Sequence, residues 1–293
     1  MPIIEAPQRR RVGACSAVAV VLLSLSCSLL PGSPPTPVSS PAAPSAEAPQ
    51  ATAEATSAPE VTEAVPPPGV EFSCANVHFW IDPTLAGSIT CETVPAVAAG
   101  DDAAPWDVAP EHVRITLEGY VLPETFHDPR IYVYPAGEFA AMSEPAGQVV
   151  ARLQALLDTK PQVFDEGIPF LPPFNAAQLL RTQVRYVDFQ NGAGVRFLTL
   201  YGQAYRVINN NELFYTFQGL TQDGGAYVAM VLPVSHPSLP DDGDVPPDEF
   251  DTFAEGFEAY VAAAEQALEA EAPESFMPSL VLLDAMIQSL EVQ

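Results

Sequence analysis

Lysine is almost missing from this chain: Lys160 is the one example in 293 residues. Lys and Arg together number 11 against 37 Asp and Glu, a formal net charge of -26. Arg9, Arg10 and Arg11 stand with Glu5 near the start, and setting these four aside leaves 8 cations against 36 anions from Cys27 onward, or -28. A surface so short of positive charge repels phosphate backbones, which excludes nucleic acid as a partner. Histidine is scarce as well, at four, and His78, His112, His127 and His236 are scattered along the chain. There is no His-Glu-x-x-His and no Gly-x-Ser-x-Gly, and Gly192-Ala193-Gly194 lacks the third glycine of a dinucleotide loop. The usual zinc-hydrolase, serine-hydrolase and nucleotide-binding signatures are therefore absent. What the chain has in excess is proline, at 32, while its hydrophobic fraction of 48% is ordinary for a globular protein.

Arg9-Arg10-Arg11 is followed by Val12 to Leu30, nineteen residues without a charge, and then by Pro31. A basic start, an apolar run and small residues at its end are the parts of an export signal. Leu23-Ser24-Leu25-Ser26-Cys27 resembles a bacterial lipobox, although Ser24 stands where that pattern usually has leucine. The resemblance implies removal of residues 1–26 and lipidation of Cys27. The same apolar run could instead stay as a membrane anchor, since its length just spans a bilayer, or serve plain secretion. All three readings place the rest of the chain outside the cytoplasm, and the lipid or the anchor would hold it at the cell membrane.

Residues 27–69 read as a tether. Eleven prolines lie between Pro31 and Pro68 among Ala, Ser, Thr and Glu, and no aromatic residue occurs before Phe72. Such a composition cannot bury enough apolar surface to offset chain entropy, so disorder is expected. Roughly 40 residues at ~3.1 Å each would reach ~120 Å at full polyproline extension.

Residues 70–293 form the expected single folded domain. His78 to Asp82 and Ser88 to Val94 read as strands joined in a hairpin through Pro83 to Gly87, and His112 to Tyr120 and Arg130 to Tyr134 as two more. Ser143 is a fitting N-cap for a helix with Val149, Val150, Leu153, Leu156 and Leu157 on one stripe. Pro161 to Pro173 reads as a rigid loop. Val184 to Gln190 and Val195 to Tyr205 flank Asn191-Gly192, a favoured hairpin turn pair. Leu213 to Leu220 and Ala226 to Val234 flank Asp223-Gly224-Gly225 in a second hairpin. Tyr215 and Phe217 point to one face and Phe214 to the other, so this sheet needs cover on both sides. Asp248 is placed to cap a helix whose stripe is Phe250, Phe253, Phe257, Val261, Ala264 and Leu268, with Glu255, Glu258, Glu265 and Glu269 on its outer face. A last helix from Pro278 to Leu290 presents Leu280, Leu283, Met286, Ile287 and Leu290. The fold class is α+β, a mainly antiparallel sheet of about six to eight strands covered by helices.

This order of elements, the opening hairpin near Phe79 and the tail from Leu282 to Leu290 resemble the PsbP-like fold found in many bacterial lipoproteins. Thr125-Phe126-His127-Asp128-Pro129, Asp188-Phe189-Gln190-Asn191-Gly192 and Leu232-Pro233-Val234-Ser235-His236-Pro237 are similar to segments of a group of uncharacterised bacterial lipoproteins. The resemblance implies binding or assembly roles and brings no catalytic set with it.

Cys74 and Cys91 are the two cysteines of the body and read as a disulfide. Closing a loop of about 17 residues contributes about 3 kcal/mol in the chain-entropy model. A competing reading joins them with His78 and His112 as a zinc site, without the tight paired spacing that structural zinc favours. Asp241, Asp242 and Asp244 head the densest anionic stretch, which reads either as a solvated loop before a helix or as oxygens for Ca²⁺. Neither cofactor nor catalytic residue is indicated. The expected function is a membrane-tethered module that binds a protein or envelope ligand. The alternatives are an extracytoplasmic hydrolase using carboxylates and a structural envelope factor with no small ligand.

Overall fold

Two strands late in the chain decide the architecture. All eight residues of the strand Phe214–Thr221 are buried, and so is its neighbour Ala226–Pro233 apart from its first residue. Strands greasy on both faces need a layer on each side, and the remaining elements provide them.

The computed structural model describes residues 69–100, 103–164 and 166–293. The leader, Cys27 and the proline-rich segment lie outside the described residues. The elements run β1 (Val70–Cys74), β2 (Val77–Ile81), β3 (Ser88–Val94), β4 (His112–Glu118), β5 (Arg130–Pro135), α1 (Ala136–Met142), α2 (Glu144–Thr159), β6 (Ala177–Phe189), β7 (Gly192–Gly202), β8 (Phe214–Thr221), β9 (Ala226–Pro233), α3 (Phe250–Glu269), α4 (Leu280–Gln288) and β10 (Glu291–Val292). Seven strands form one antiparallel sheet in the order β3-β4-β5-β9-β8-β7-β6, and β1-β2-β10 form a second. The class is α+β, as the strand and helix patterns predict.

One face of the large sheet, carrying Tyr215, Phe217 and Met230, is covered by α4, the α3 residue Leu268 and the small sheet through Phe79. The other, carrying Phe214, Val195 and Phe197, is covered by α1, α2 and the loop residues Ile168 to Leu171. The expected division of Tyr215 and Phe217 from Phe214 therefore holds.

The expected hairpin of His78 to Asp82 with Ser88 to Val94 does not form. β2 pairs with β1 and β10, whereas β3 pairs with β4, so the two strands belong to different sheets. The connection between them crosses layers because Leu85 is buried, at 1% exposure, and the Gly87 N–H donates to the Glu118 carbonyl at the end of β4. Cys74 and Cys91 consequently link the two sheets, with their sulfurs at disulfide distance and their Cα atoms 6.5 Å apart.

Local signals were partly redirected by tertiary contacts. Ser143 caps α2 as expected, accepting from the Ala146 N–H, with Pro145 in the first turn. Asp248 does not cap α3, because Pro246 to Glu249 is itself a turn and the helix begins at Phe250 without a side-chain cap. The hairpin of β6 and β7 turns at Gln190-Asn191, one residue earlier than the Asn-Gly pair suggests, with Phe189 opposite Gly192. Asn191 is occupied in gripping β10: its amide donates to the Val292 carbonyl and its oxygen accepts from the Val292 N–H. Gly192 is then needed in the strand, where a Cβ would overlap the Phe189 ring and the Leu220 carbonyl.

The acids assigned to the outer face of α3 divide in the same way. Glu255 and Glu258 are exposed, but Glu265 accepts from the Arg181 N–H at 2.7 Å and Glu269 from the Gln183 N–H at 2.5 Å. Those donors belong to β6, an edge strand whose register breaks between Thr182 and Arg185, with Gln183 at φ 55. The Gln183 amide reaches back to the Leu268 and Glu271 carbonyls. Helix carboxylates thus occupy edge donors that would otherwise invite another strand. Glu269→Ala strands the Gln183 N–H and is expected to cost about 1–3 kcal/mol. Glu258→Ala on the same helix should change stability by less than about 0.5 kcal/mol. Urea midpoints of the two variants at pH 7 decide this, and equal midpoints would remove the edge-capping role.

Candidate functional site

The covers stop where the strands end, and at one end of the large sheet they leave a cleft of about 410 Å³. Its wall is built from the first residues of β4, the last of β5, the turn between β8 and β9, the turn between β1 and β2, and Gln293. His112 is the central side chain. It opens β4 immediately after the Val97–Ala109 bridge and Pro110, and its residue is 9% exposed. Nδ1 lies 2.9 Å from the Pro110 carbonyl, which can accept and cannot donate. Nδ1 therefore carries the proton, leaving Nε2 as a lone-pair acceptor in a ring that lines the cleft.

The surroundings hold that state. The ring packs on Tyr134 with centroids 4.5 Å apart, and burial lowers the His112 pKa, so the neutral imidazole is the form present at pH 7. Asp223 stands across the cleft. Its Oδ1 accepts from the Thr221 hydroxyl at 2.6 Å and the Gly225 N–H at 2.9 Å, and the hydroxyl bond first, then the backbone bond, hold the carboxylate below its usual pKa. Gly224 at φ 71 makes this turn possible. Asn76 and Gln293 are tied by a reciprocal pair of bonds, Gln293 N–H to the Asn76 carbonyl at 2.8 Å and the Asn76 amide to the Gln293 carbonyl at 3.0 Å. Glu111 is exposed on the rim, and among the described residues no Arg or Lys side chain lines the cleft.

Chemically the cleft carries both donors and acceptors, the Tyr134 and Thr93 hydroxyls together with His112 and the Asp223 carboxylate. The one hydroxyl beside the acid, that of Thr221, gives its proton to Asp223 and accepts from the Ala226 N–H at 2.9 Å. It is not directed at His112 as a nucleophile would be.

The other histidines are apart from this site and from one another. His78 meets Glu71 at 2.7 Å on the exposed face of the small sheet. His236 is buried with Ser238 Oγ 2.7 Å from Nδ1 and Ser275 Oγ 3.2 Å from Nε2, and Glu271 lies 3.6 Å away. This has the membership of a hydrolytic triad without its direction, since the Ser275 hydroxyl donates to the Ala272 carbonyl at 2.7 Å and so accepts from His236. The cluster instead pins Ser235 to Leu239 against the segment before α4. His127 sits among aromatic rings, stacked on Phe174 at 5.4 Å and meeting Phe214 edge-on at 4.6 Å.

The metal alternatives fail on placement. Cys74 and Cys91 face each other while His78 is taken by Glu71 and His112 by Pro110, so no zinc set assembles. Among the described residues no three His, Cys, Asp or Glu side chains converge around a metal position, and Asp241, Asp242 and Asp244 form no such group. The Asp241 and Pro240 carbonyls instead accept from the Asn211 and Asn210 N–H groups, which docks the loop.

Of the residues singled out in the sequence, His112 belongs to the cleft. Glu111 stands next to His112, while Tyr134 and Asp223 come from two other places, and none of the three carried a motif beyond the turn signal of Asp223-Gly224-Gly225. No protein-family model, no curated protein and no solved structure matches this chain.

His127 carries a pH prediction. Burial pushes its pKa down from 6.5 to about 4, against the opposing pull of Asp128. The folded state therefore resists a proton that the unfolded chain accepts, so stability is full above pH 6.5 and falls as the pH drops toward 4. Chemical denaturation at pH 7 and pH 4.5 should show His127→Phe sparing roughly 2–3 kcal/mol of the acid loss seen in the native protein. An identical acid loss in both would contradict it.

Proposed function

We propose that the folded body is a ligand-binding module of the cell envelope. It is carried outside the cytoplasm by a lipid on Cys27, spaced from the membrane by the proline-rich segment, and built on a fold of the PsbP-like kind. The lipobox-like run ending at Cys27 and the composition of residues 27–69 support the anchorage. The order of strands and helices supports the fold resemblance.

The observation that carries the binding reading is the way His112 is committed. A general base needs an acidic proton to take from a nucleophile or a held water, and here Thr221 is turned to Asp223. What remains is a concave site of about 410 Å³ in which His112, Thr221, Asp223 and the Asn76 amide are fixed by their own neighbours. Fixed polar groups in a preformed concavity are what orient a bound ligand.

The test uses the mature protein recovered from membranes in the detergent phase, a step that itself requires the lipid and fails with Cys27→Ala. Incubated with envelope extract, washed and denatured, it should release a compound or peptide of unchanged mass. Thr93→Trp, placed at an exposed edge-strand position that lines the cleft, should release none. Conversion of the captured compound into a product of different mass would replace the binding module with an enzyme.

A further inference from the structure

We infer that the free edge of β3 is a docking strand for an extended segment of another protein, added alongside Ile89, Cys91 and Thr93. The inference goes beyond the cleft and stands on separate observations. The first is which edges the fold closes. On β6 the N–H groups of Arg181 and Gln183 are taken by Glu265 and Glu269, and on β10 the N–H and C=O of Val292 are taken by Asn191. β3 is the opposite edge of the large sheet, and the devices that blunt such an edge are missing from it. It runs seven residues without proline or lysine, in unbroken register with β4. Its one charge, Glu92, is held by Arg114 at 2.8 Å.

The second is where its backbone groups point. The Leu117 N–H donates to the Pro129 carbonyl on the β5 side, so the odd-numbered residues of β4 turn to β5. His112, Arg114, Thr116 and Glu118 then turn to β3, where their partners are Val94, Glu92, Thr90 and Ser88. The alternation leaves the N–H and C=O groups of Ile89, Cys91 and Thr93 directed outward. Among the described residues no further hydrogen bond reaches them. A row of donors and acceptors repeating every two residues is matched along its length by another extended backbone.

The third is what this edge can receive. Ile89 and Cys91 pack against the core, and Cys91 meets Cys74 at disulfide distance, whereas Thr90 and Glu92 are exposed. An added strand therefore alternates in the same way, with apolar side chains beside Ile89 and Cys91 and polar ones beside Thr90 and Glu92. A second copy is a poor occupant. It would bring its own -28 from Cys27 onward to the same seam. A seam ~24 Å long and one strand thick also buries far less than the ~800 Å² per partner of a stable dimer. The fitting occupant is a neutral or basic segment of a different protein, free of proline where its N–H groups meet β3.

The experiment takes the mature protein in a zwitterionic detergent and selects from random peptides of seven residues, the length of β3. Residue-resolved amide exchange is then followed with the enriched peptides. Without peptide the Ile89, Cys91 and Thr93 N–H groups should exchange faster than those of Thr90 and Glu92, and bound peptide should slow the three about tenfold or more. Ile89→Pro removes one outward donor, leaves the ladder to β4 intact, and should weaken binding about tenfold. That variant also trims a packed side chain, so the same peptides N-methylated at every residue test the backbone bonds on the native protein, and they should not bind. Failure to enrich any peptide would overturn the inference. So would binding that leaves the three N–H groups exchanging as in the free protein, or equal binding of the N-methylated peptides. Protection that appears instead around His112 and Tyr134, and is lost in Thr93→Trp, would leave the cleft as a ligand site and remove the edge. Protection of the three groups that rises with protein concentration in the absence of peptide would make the occupant a second copy and overturn the one inferred.

Discussion

The double-sided burial of β8 and β9 is the constraint from which the other features follow. A strand with no solvated face forces every polar group on it to find a partner inside. Gln218 accepts from the Leu171 N–H and the Tyr227 hydroxyl, tying the loop before β6 to the sheet. On the opposite face the Tyr215 hydroxyl donates to Asp284 of α4 at 2.7 Å, and Arg196 of β7, with its side chain 3% exposed, lies 3.0 Å from the same carboxylate. Arg196 also donates to the Gln183 carbonyl in the bulge of β6. These bonds fasten α4 and the edge strand to the sheet. Losing one partner would leave a buried charge alone, which costs far more than the pair contributes.

The covers cannot extend past the strand ends, where turns must meet water. That is why the cleft lies there, and why its polar groups come from six separate segments. Its position is a consequence of packing. Its chemistry is set by two local bonds, His112 to Pro110 and Thr221 to Asp223.

Much of the fold was legible because it rests on short-range pattern. The apolar stripes of α3 and α4, the cap at Ser143 and the alternation of Phe214, Tyr215 and Phe217 are readable from neighbours a few residues apart. What failed depends on distant partners. β10 pairs with β2 across most of the body, so the opening strands could not be placed from their own connection. Asn191 sits in the turn as its type suggests but also clamps β10, and Glu265 and Glu269 looked like solvated acids and are the cover of an edge. The site was less legible still. His112 was visible as a lone histidine, but the proton on its Nδ1 depends on where the Pro110 carbonyl points, and Asp223 reaches the cleft through the strand order β5-β9-β8.

The tautomer of His112 is the point on which the binding reading turns. Long-range proton–nitrogen correlation on the nitrogen-15-labelled protein reports the protonation of each ring nitrogen separately. At pH 7 the ring should be neutral, with the proton on Nδ1 and Nε2 bare. A proton on Nε2, whether in the other neutral tautomer or in an imidazolium, would contradict that assignment.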